Sequence, residues 1–482
     1  MFRTPPMPGL PMLGLPMLGL AALLLAGCSL DPDYARPAAP VSASWPAGAA
    51  YLPPAAGAQT ADAIAWQDFF LDPALRRLVS IALENNRDLR VSTLNVAAAE
   101  ATYRAQRGGL FPAFGATSSA SYAQTPADLA GGSATGRTNP VTSRSWSAGV
   151  GFTSWELDLF GRVRSQSRAA FEDYLALEET RRAAQITLVG QVADAWLTVL
   201  ADRELLALTK QTLASQEQSY RLTQAVTQGG TATALTLRQA QTAVETARAN
   251  QAQYTRQLAQ DENALALLLG QPVPADLPAS SLSSGLMLAD VPAGLSSDLL
   301  IRRPDVLSAE HSLQAANADI GAARAAFFPS ITLTSNVGSA GAALSRLFQP
   351  GSGSWSFAPQ INIPIFSGGT NQANLDLAKI QSNVQVATYE KTIQTAFREV
   401  ADALAARGTY GDQLAAQQGL TEAYADSYRL SELRFRSGVD SYLTTLDSQR
   451  ELYAAQQTLI TLRRDRLASL VTLYKVLGGG WR

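Results

Sequence analysis

The chain carries two copies of one long unit, and this duplication restricts its fold more than any other feature. Tyr220-Arg221-Leu222 recurs as Tyr428-Arg429-Leu430, an offset of 428 − 220 = 208 residues. The same offset carries Val192-Ala193-Asp194-Ala195 onto Val400-Ala401-Asp402-Ala403, Leu235-Thr236 onto Leu443-Thr444, and Leu269-Gly270 onto Leu477-Gly478. Further upstream the spacing drifts as loops permit. Phe111-Pro112 answers Phe328-Pro329, and Ser145-Trp146-Ser147 answers Ser354-Trp355-Ser356. Self-similarity at a fixed period marks a repeated structural unit. We therefore expect repeats at residues 76–282 and 283–482, behind an N-terminal extension at 28–75.

Each copy changes period twice. From Ala113 to Ala123, Phe114, Ala116, Ala120 and Tyr122 alternate with Gly115, Thr117, Ser119 and Ser121. A second segment sets Trp146, Ala148, Val150 and Phe152 against Ser145, Ser147, Gly149 and Gly151. The second copy repeats this with Ile331, Leu333 and Val337, then with Trp355, Phe357, Ile361 and Ile363 against Ser354, Ser356, Gln360 and Asn362. Period-two alternation with one apolar and one small polar face predicts strands that have lipid or core on one side and water on the other. The Gly- and Ser-rich stretch 131–139 is expected as an exposed loop.

The remainder predicts unusually long helices. No proline interrupts Arg162 to Gln228, and Ile186, Val189, Ala193, Trp196 and Leu200 are spaced three and four apart. Ile393, Phe397, Val400 and Leu404 follow the same spacing in the second copy. At ~1.5 Å per residue such a helix is roughly 100 Å long. Turns at Gly229-Gly230 and Ser437-Gly438 then lead into returning helices that end at Gly270 and Gly478, since reversing a helix commonly needs a left-handed residue.

Four strands cannot close a membrane barrel, which takes at least ~8, and lipid does not tolerate open sheet edges. Oligomerisation solves this, and three copies would supply twelve strands, although periodicity leaves the stoichiometry open. No apolar run after Cys28 is read as a membrane helix, so a bilayer crossing would have to be a β-barrel. The formal net charge of −2 gives no electrostatic case for nucleic acid. The chain has a single Cys and a single His, too few for a multi-imidazole or thiolate zinc site. His311 is expected at the surface, and no cofactor or catalytic group is expected.

The N-terminus has the order of a signal peptide, residues 1–27: Arg3, an apolar stretch from Met17 to Ala26, then Leu25-Ala26-Gly27-Cys28. That tetrapeptide resembles the bacterial lipobox, which makes Cys28 the expected lipid attachment residue. Ser29 is not the aspartate that retains such lipoproteins at the inner membrane, so the outer membrane is expected. A lone thiol committed to lipid leaves none for disulfides.

The repeat, the lipobox, Phe327-Phe328-Pro329 before a strand, Ile363-Pro364-Ile365-Phe366-Ser367-Gly368-Gly369 and Arg436-Ser437-Gly438-Val439-Asp440-Ser441-Tyr442-Leu443 together resemble the TolC-type outer membrane factor family. The likeness is greatest to its lipoprotein, NodT-like branch, which serves resistance-nodulation-division drug pumps. The resemblance implies an α+β membrane protein: a tandem-repeat protomer of four strands and long helical hairpins, forming a homotrimer with a twelve-stranded β-barrel and an α-helical tunnel. It implies an inner-membrane pump and a periplasmic adaptor as partners, with adaptor contact at the hairpin tips Gly229, Gly230, Ser437 and Gly438. It also implies a periplasmic gate in the second copy, formed by Leu443 as apolar constriction and Asp447 as acidic ring, with Arg450 one turn on and Asp440 at the turn.

Three bland readings stand beside the gate. Asp440 or Ser441 caps the helix, Asp447 and Arg450 form an ordinary surface pair, or Leu443 is hairpin core. Subtracting 208 sets Gln239 opposite Asp447 and Thr242 opposite Arg450, so any acidic ring has one carboxylate per chain. Alternative functions are the exit duct of a protein secretion system, a lipid-anchored periplasmic coiled-coil scaffold, and, weakest, a lipoprotein hydrolase.

Overall fold

The computed structural model describes residues 29–52, 64–129, 139–230, 233–282, 288–289 and 297–481. The expected signal peptide, Cys28 and most of the Gly- and Ser-rich loop lie outside the described residues. In chain order the elements are α1 (Trp66–Phe69), α2 (Pro73–Asn85), α3 (Arg87–Gly108), β1 (Gly115–Thr125), β2 (Val141–Leu157), α4 (Arg162–Gln228), α5 (Ala234–Leu269), α6 (Pro304–Ala325), β3 (Ser330–Gly341), β4 (Gly353–Asn362), α7 (Thr370–Arg436) and α8 (Tyr442–Val476). The duplication is preserved in the element boundaries. α4 and α7 each have 67 residues and start at 162 and 370, which are 208 apart. α5 and α8 start at 234 and 442, again 208 apart. The strands begin and end within a few residues of the alternating segments, except that Ile363 falls just past the end of β4.

The chain forms two compact units, and neither is a repeat. The described residues up to Pro37, with Ala97–Ala176 and Glu310–Ala387, make the first; Ala38–Val96, Leu177–Ala309 and the described residues from Thr388 make the second. Each draws on both copies, because the long helices pass from one unit into the other.

The first unit contains a four-stranded antiparallel sheet in the order β1-β2-β3-β4. Its central pairing, β2 with β3, joins the two copies. The register sorts the side chains cleanly. Ala116 pairs with Val150 and Ala120 with Trp146; Val150 pairs with Val337; Val337 pairs with Trp355 and Ile331 with Ile361. Because partners in register share a face, these residues make one apolar surface across all four strands. The other surface carries Thr117, Ser119, Ser147, Gly149, Asn336, Gly338, Ser354 and Ser356, and Ser119 and Ser147 share a hydrogen bond of 2.8 Å there.

A β-bulge keeps the two surfaces distinct. Between Phe152 and Trp155 β2 advances three residues while β3 moves from Ser335 to Leu333, which is two. The extra residue resets the parity, so Trp155 and Leu157 stay on the apolar surface and Glu156 turns to the polar one. Ser154 sits in the bulge at φ 53 and donates its backbone N–H to Thr334 Oγ1 at 3.2 Å. On the polar surface, a Cβ at Gly151 would run into the Ser335 carbonyl and one at Gly338 into Ala148, so close strand approach requires glycine there.

The second unit holds the main hydrophobic core. Ile186, Val189, Ala193, Trp196 and Leu200 are all buried, as are Ile393, Val400 and Leu404, which fits their spacing. Phe397 is half-buried and stacks on Trp45 with ring centroids 5.1 Å apart. The N-terminal extension is structurally part of this core. Trp66, Phe69, Phe70, Leu75 and Leu78 are buried in it, Phe69 stacks on Tyr474 at 4.0 Å, and the boundary expected after residue 75 falls inside α2.

Two sequence expectations need correction. α4 does include an 18-residue window apolar enough to pass for a membrane helix by composition, but more than half of it is buried within the protein, as in the core helix of any packed bundle. His311 is half-buried rather than at the surface, with Nδ1 2.7 Å from Glu172 Oε2. The alanine-rich pattern of α6 hides this packing against α4, because small residues mark close approach without marking a core.

The core also encloses carboxyls. Asp194, from the duplicated Val-Ala-Asp-Ala motif, is pushed up to about 6 by burial, against the pull of Lys475 and Arg464. Asp202 is raised as well, by burial first and then by the hydrogen bond and charge of Asp261. Both groups bind more protons folded than unfolded between the ordinary carboxylate range and their raised values. The stability they contribute is therefore complete at low pH and lost as pH rises through about 6. The apparent Tm should be lower at pH 8 than at pH 5, and Asp194→Asn combined with Asp202→Asn should flatten that difference in a thermal melt.

Candidate gate at the hairpin tips

The two tips reverse direction by the same backbone device but are finished differently. After α4, Gly229 and Gly230 form the turn, with Gly230 at φ 78. After α7, the Val439 N–H donates to the Arg434 carbonyl at 2.9 Å and the Gly438 N–H to that of Phe435 at 2.9 Å, a Schellman-type closure with Gly438 at φ 73. Thr233 then caps α5, its hydroxyl accepting from the Thr236 N–H at 3.2 Å. Its counterpart Ser441 occupies the same position before α8 and makes no capping bond.

Asp440 is not a cap either. Arg434 donates to it through Nε at 2.5 Å and Nη2 at 3.0 Å, and that pairing holds the Asp440 carboxyl below its usual range. The two residues are six apart across a turn, a spacing that helical patterning cannot flag. Asp440 thus braces the second tip.

Beneath the tips, α8 is zipped onto the first hairpin. Tyr442, Leu446 and Ala240 form a small buried cluster, with Tyr220, Ala243 and Phe435 packed around it, and Phe435 and Tyr442 have ring centroids 5.4 Å apart. One turn further on, Gln216 Nε2 donates to Gln449 Oε1 at 2.7 Å, and Gln449 Nε2 donates to Ser215 Oγ at 3.2 Å. Thr209 and Tyr453 share a hydroxyl contact of 2.7 Å. These buried amides and hydroxyls fix the rotation of α8.

That rotation decides the position of the gate candidates. Leu443 is 46% exposed and therefore does not belong to the hairpin core, which Tyr442 and Leu446 supply. Asp447 and Arg450 are 57% and 71% exposed at the side chain and 3.3 Å apart, a surface pair of little energetic value by itself. Leu443 and Arg450 line a cavity of about 360 Å³ together with Gln239 and Thr242, the first-copy counterparts of Asp447 and Arg450. The i, i+4 pair Leu443 and Asp447 is thus exposed on α8, Asp447 beside Arg450.

The chain is similar to known proteins over nearly its whole length. A family model described as outer membrane efflux protein matches residues 78–271 and 295–479. The toluene efflux pump outer membrane protein TtgC of Pseudomonas putida is 53% identical over 95% of this chain and 94% of that protein. The antibiotic efflux pump outer membrane protein ArpC, also of Pseudomonas putida, has the same identity and coverage. The solved open state of the Neisseria gonorrhoeae MtrE outer membrane channel superposes with a TM-score of 0.84 at 38% identity, covering 94% of this chain and 99% of that one.

The amide ladder carries the testable consequence of this geometry. Gln449→Leu removes the acceptor of Gln216 and the donor to Ser215, leaving buried polar groups unpaired. The expected cost is about 1–3 kcal/mol, read as a lower apparent Tm and as faster amide hydrogen exchange in α8.

Proposed function

The chain belongs to the outer membrane efflux protein family and is an outer-membrane component of an efflux system; from that membership we propose that it acts as a homotrimeric, passive exit duct. An inner-membrane pump supplies the energy, and a periplasmic adaptor engages the hairpin tips at Gly229, Gly230, Ser437 and Gly438. The cargo is small apolar or amphipathic molecules, in line with the toluene and antibiotic pumps to which the named relatives belong. The observation that carries this reading is the sheet. It has an apolar surface, a small polar surface, and edge strands β1 and β4 whose outer edges meet no further strand among the described residues. Three such sheets joined edge to edge give twelve strands, with lipid outside and water inside.

In this reading residues 1–27 are a removed signal peptide and Cys28 carries lipid. Residues 28–75 are the lipidated extension, and 76–282 and 283–482 are the two repeats. The gate lies on the second hairpin. Leu443 forms the apolar constriction, Asp447 a ring of three carboxylates that draws cations, and Arg450 its neutralising neighbour. Asp440 shapes the tip from which they project. Gln239 and Thr242 leave the first hairpin uncharged at the matching positions, so one hairpin of each pair is the static member.

Single-channel recording tests the assignment. Asp447→Ala should lower cation preference and raise conductance at low voltage, whereas Gln239→Ala should change neither; unaltered selectivity in Asp447→Ala would remove Asp447 from the gate. Since the barrel itself supplies membrane insertion, a Cys28→Ser chain should still trimerise and restore part of the drug tolerance of a strain lacking the protein.

A further inference from the structure

The first described residues lie immediately after Cys28 and are fastened to the first unit at several points. The Asp31 carboxylate accepts from Ser165 Oγ at 2.5 Å and pairs with Arg168, both in the first turns of α4. Arg324 Nη1 donates to the Leu30 carbonyl at 2.9 Å, and Asn317 Nδ2 donates to the Pro32 carbonyl at 2.8 Å. Arg36 and Tyr34 both reach Glu310. α6 is shaped to receive this strap, since a Cβ at Gly321 would run into the Asp31 carboxylate. The Asp31 side chain is only 7% exposed, so this is a built joint rather than a chance surface contact.

The position of the joint is informative. Extended chain advances at most about 3.6 Å per residue, which puts the Cys28 backbone within about 8 Å of the Leu30 carbonyl held by Arg324. Directly after Arg324 the chain turns, with the Phe327 N–H donating to the Arg324 carbonyl at 3.2 Å and that of Phe328 to Ala325 at 3.0 Å, and then enters β3. α4 likewise starts a few residues after the end of β2. The joint therefore lies at the foot of β2 and β3, where the apolar surface ends at Leu157 and Ile331. Phe327 and Phe328 remain 41% exposed there, and Phe328 stacks on Phe160 at 4.7 Å.

We propose that the strap 29–36 is a latch, with Asp31 as its positioning residue, that seats the lipid of Cys28 on the aromatic foot of strands β2 and β3 of its own subunit. The lipid is then a fixed strut, placed at the central strands of each sheet and away from the edges that meet neighbouring subunits. This rests on the reading of Cys28 as a lipid attachment residue. The occupant of the aromatic foot is the acyl glyceride of the same chain, because the covalent reach from Leu30 brings it there.

The test uses the full-length protein in native membranes, with photoreactive benzoylphenylalanine at position 327, 328 or, as a control on the edge strand, 355. After irradiation and proteolysis, mass spectrometry of the N-terminal peptide reads both its lipidation and its cross-links. We expect a lipopeptide cross-linked at 327 or 328 and not at 355. Asp31→Ala should reduce it several-fold, and an oxidised Asp31→Cys/Ser165→Cys chain should restore it. A lipidated peptide with no cross-link at 327 or 328, or with equal yield in Asp31→Ala, overturns the latch while leaving the lipid reading intact. A peptide without lipid overturns both. Should Asp31→Ala fail to accumulate as trimer, Arg324→Gln decides, since it removes the bond to the Leu30 carbonyl and spares the Asp31 joint.

Discussion

Backbone hydrogen bonding in a medium without water is the constraint on which the rest of this structure depends. In lipid every N–H and C=O must find a protein partner, and a four-stranded sheet with two open edges cannot meet that demand alone. The side chains impose the same requirement, because an apolar surface that spans all four strands has no counterpart within the chain to cover it. Both deficits are met by copies of the same chain in the same membrane, which is why the family solution is an oligomeric channel. The bulge at Ser154 belongs to this logic. Without its extra residue, Ser154 and Glu156 would occupy the lipid-side positions now held by Trp155 and Leu157.

The duplication supplies two long helical hairpins, and their tips have diverged in how they are finished. The elements of the two hairpins keep a 208-residue offset at their starts, yet Thr233 caps its helix whereas Ser441 does not. Arg434 and Asp440 brace the second tip instead. The Thr233 cap ties the start of α5 to its own first turn, while the second tip is held by an exposed ion pair, a contact that water and salt weaken. The amide ladder of Gln216, Gln449 and Ser215 sets the rotation of α8, and so determines that Leu443 and Asp447 look outward.

The N-terminal extension shows how far local pattern can mislead. The repeat pattern sets residues 28–75 apart as an extension ahead of the first copy. Instead Trp66, Phe69 and Phe70 are core residues, and Asp31 is joined to Ser165 and Arg168 more than a hundred positions away. Neither contact leaves a periodic trace.

The sequence by itself determined the duplication, the helix limits, the two faces of each strand and the turn glycines. All of these follow from periods of 3.6 and 2 or from single left-handed residues, and such signals are local. Only the tertiary structure decided that the compact units cut across the repeats, that a bulge preserves strand parity and that His311 packs on Glu172. It also decided that Asp440 is bound to Arg434. These depend on which distant segments come within bonding distance, and a linear pattern does not encode that. The family resemblance pointed to Leu443 and Asp447, but their outward direction follows from the packing of Tyr442, Leu446 and Gln449 on the first hairpin.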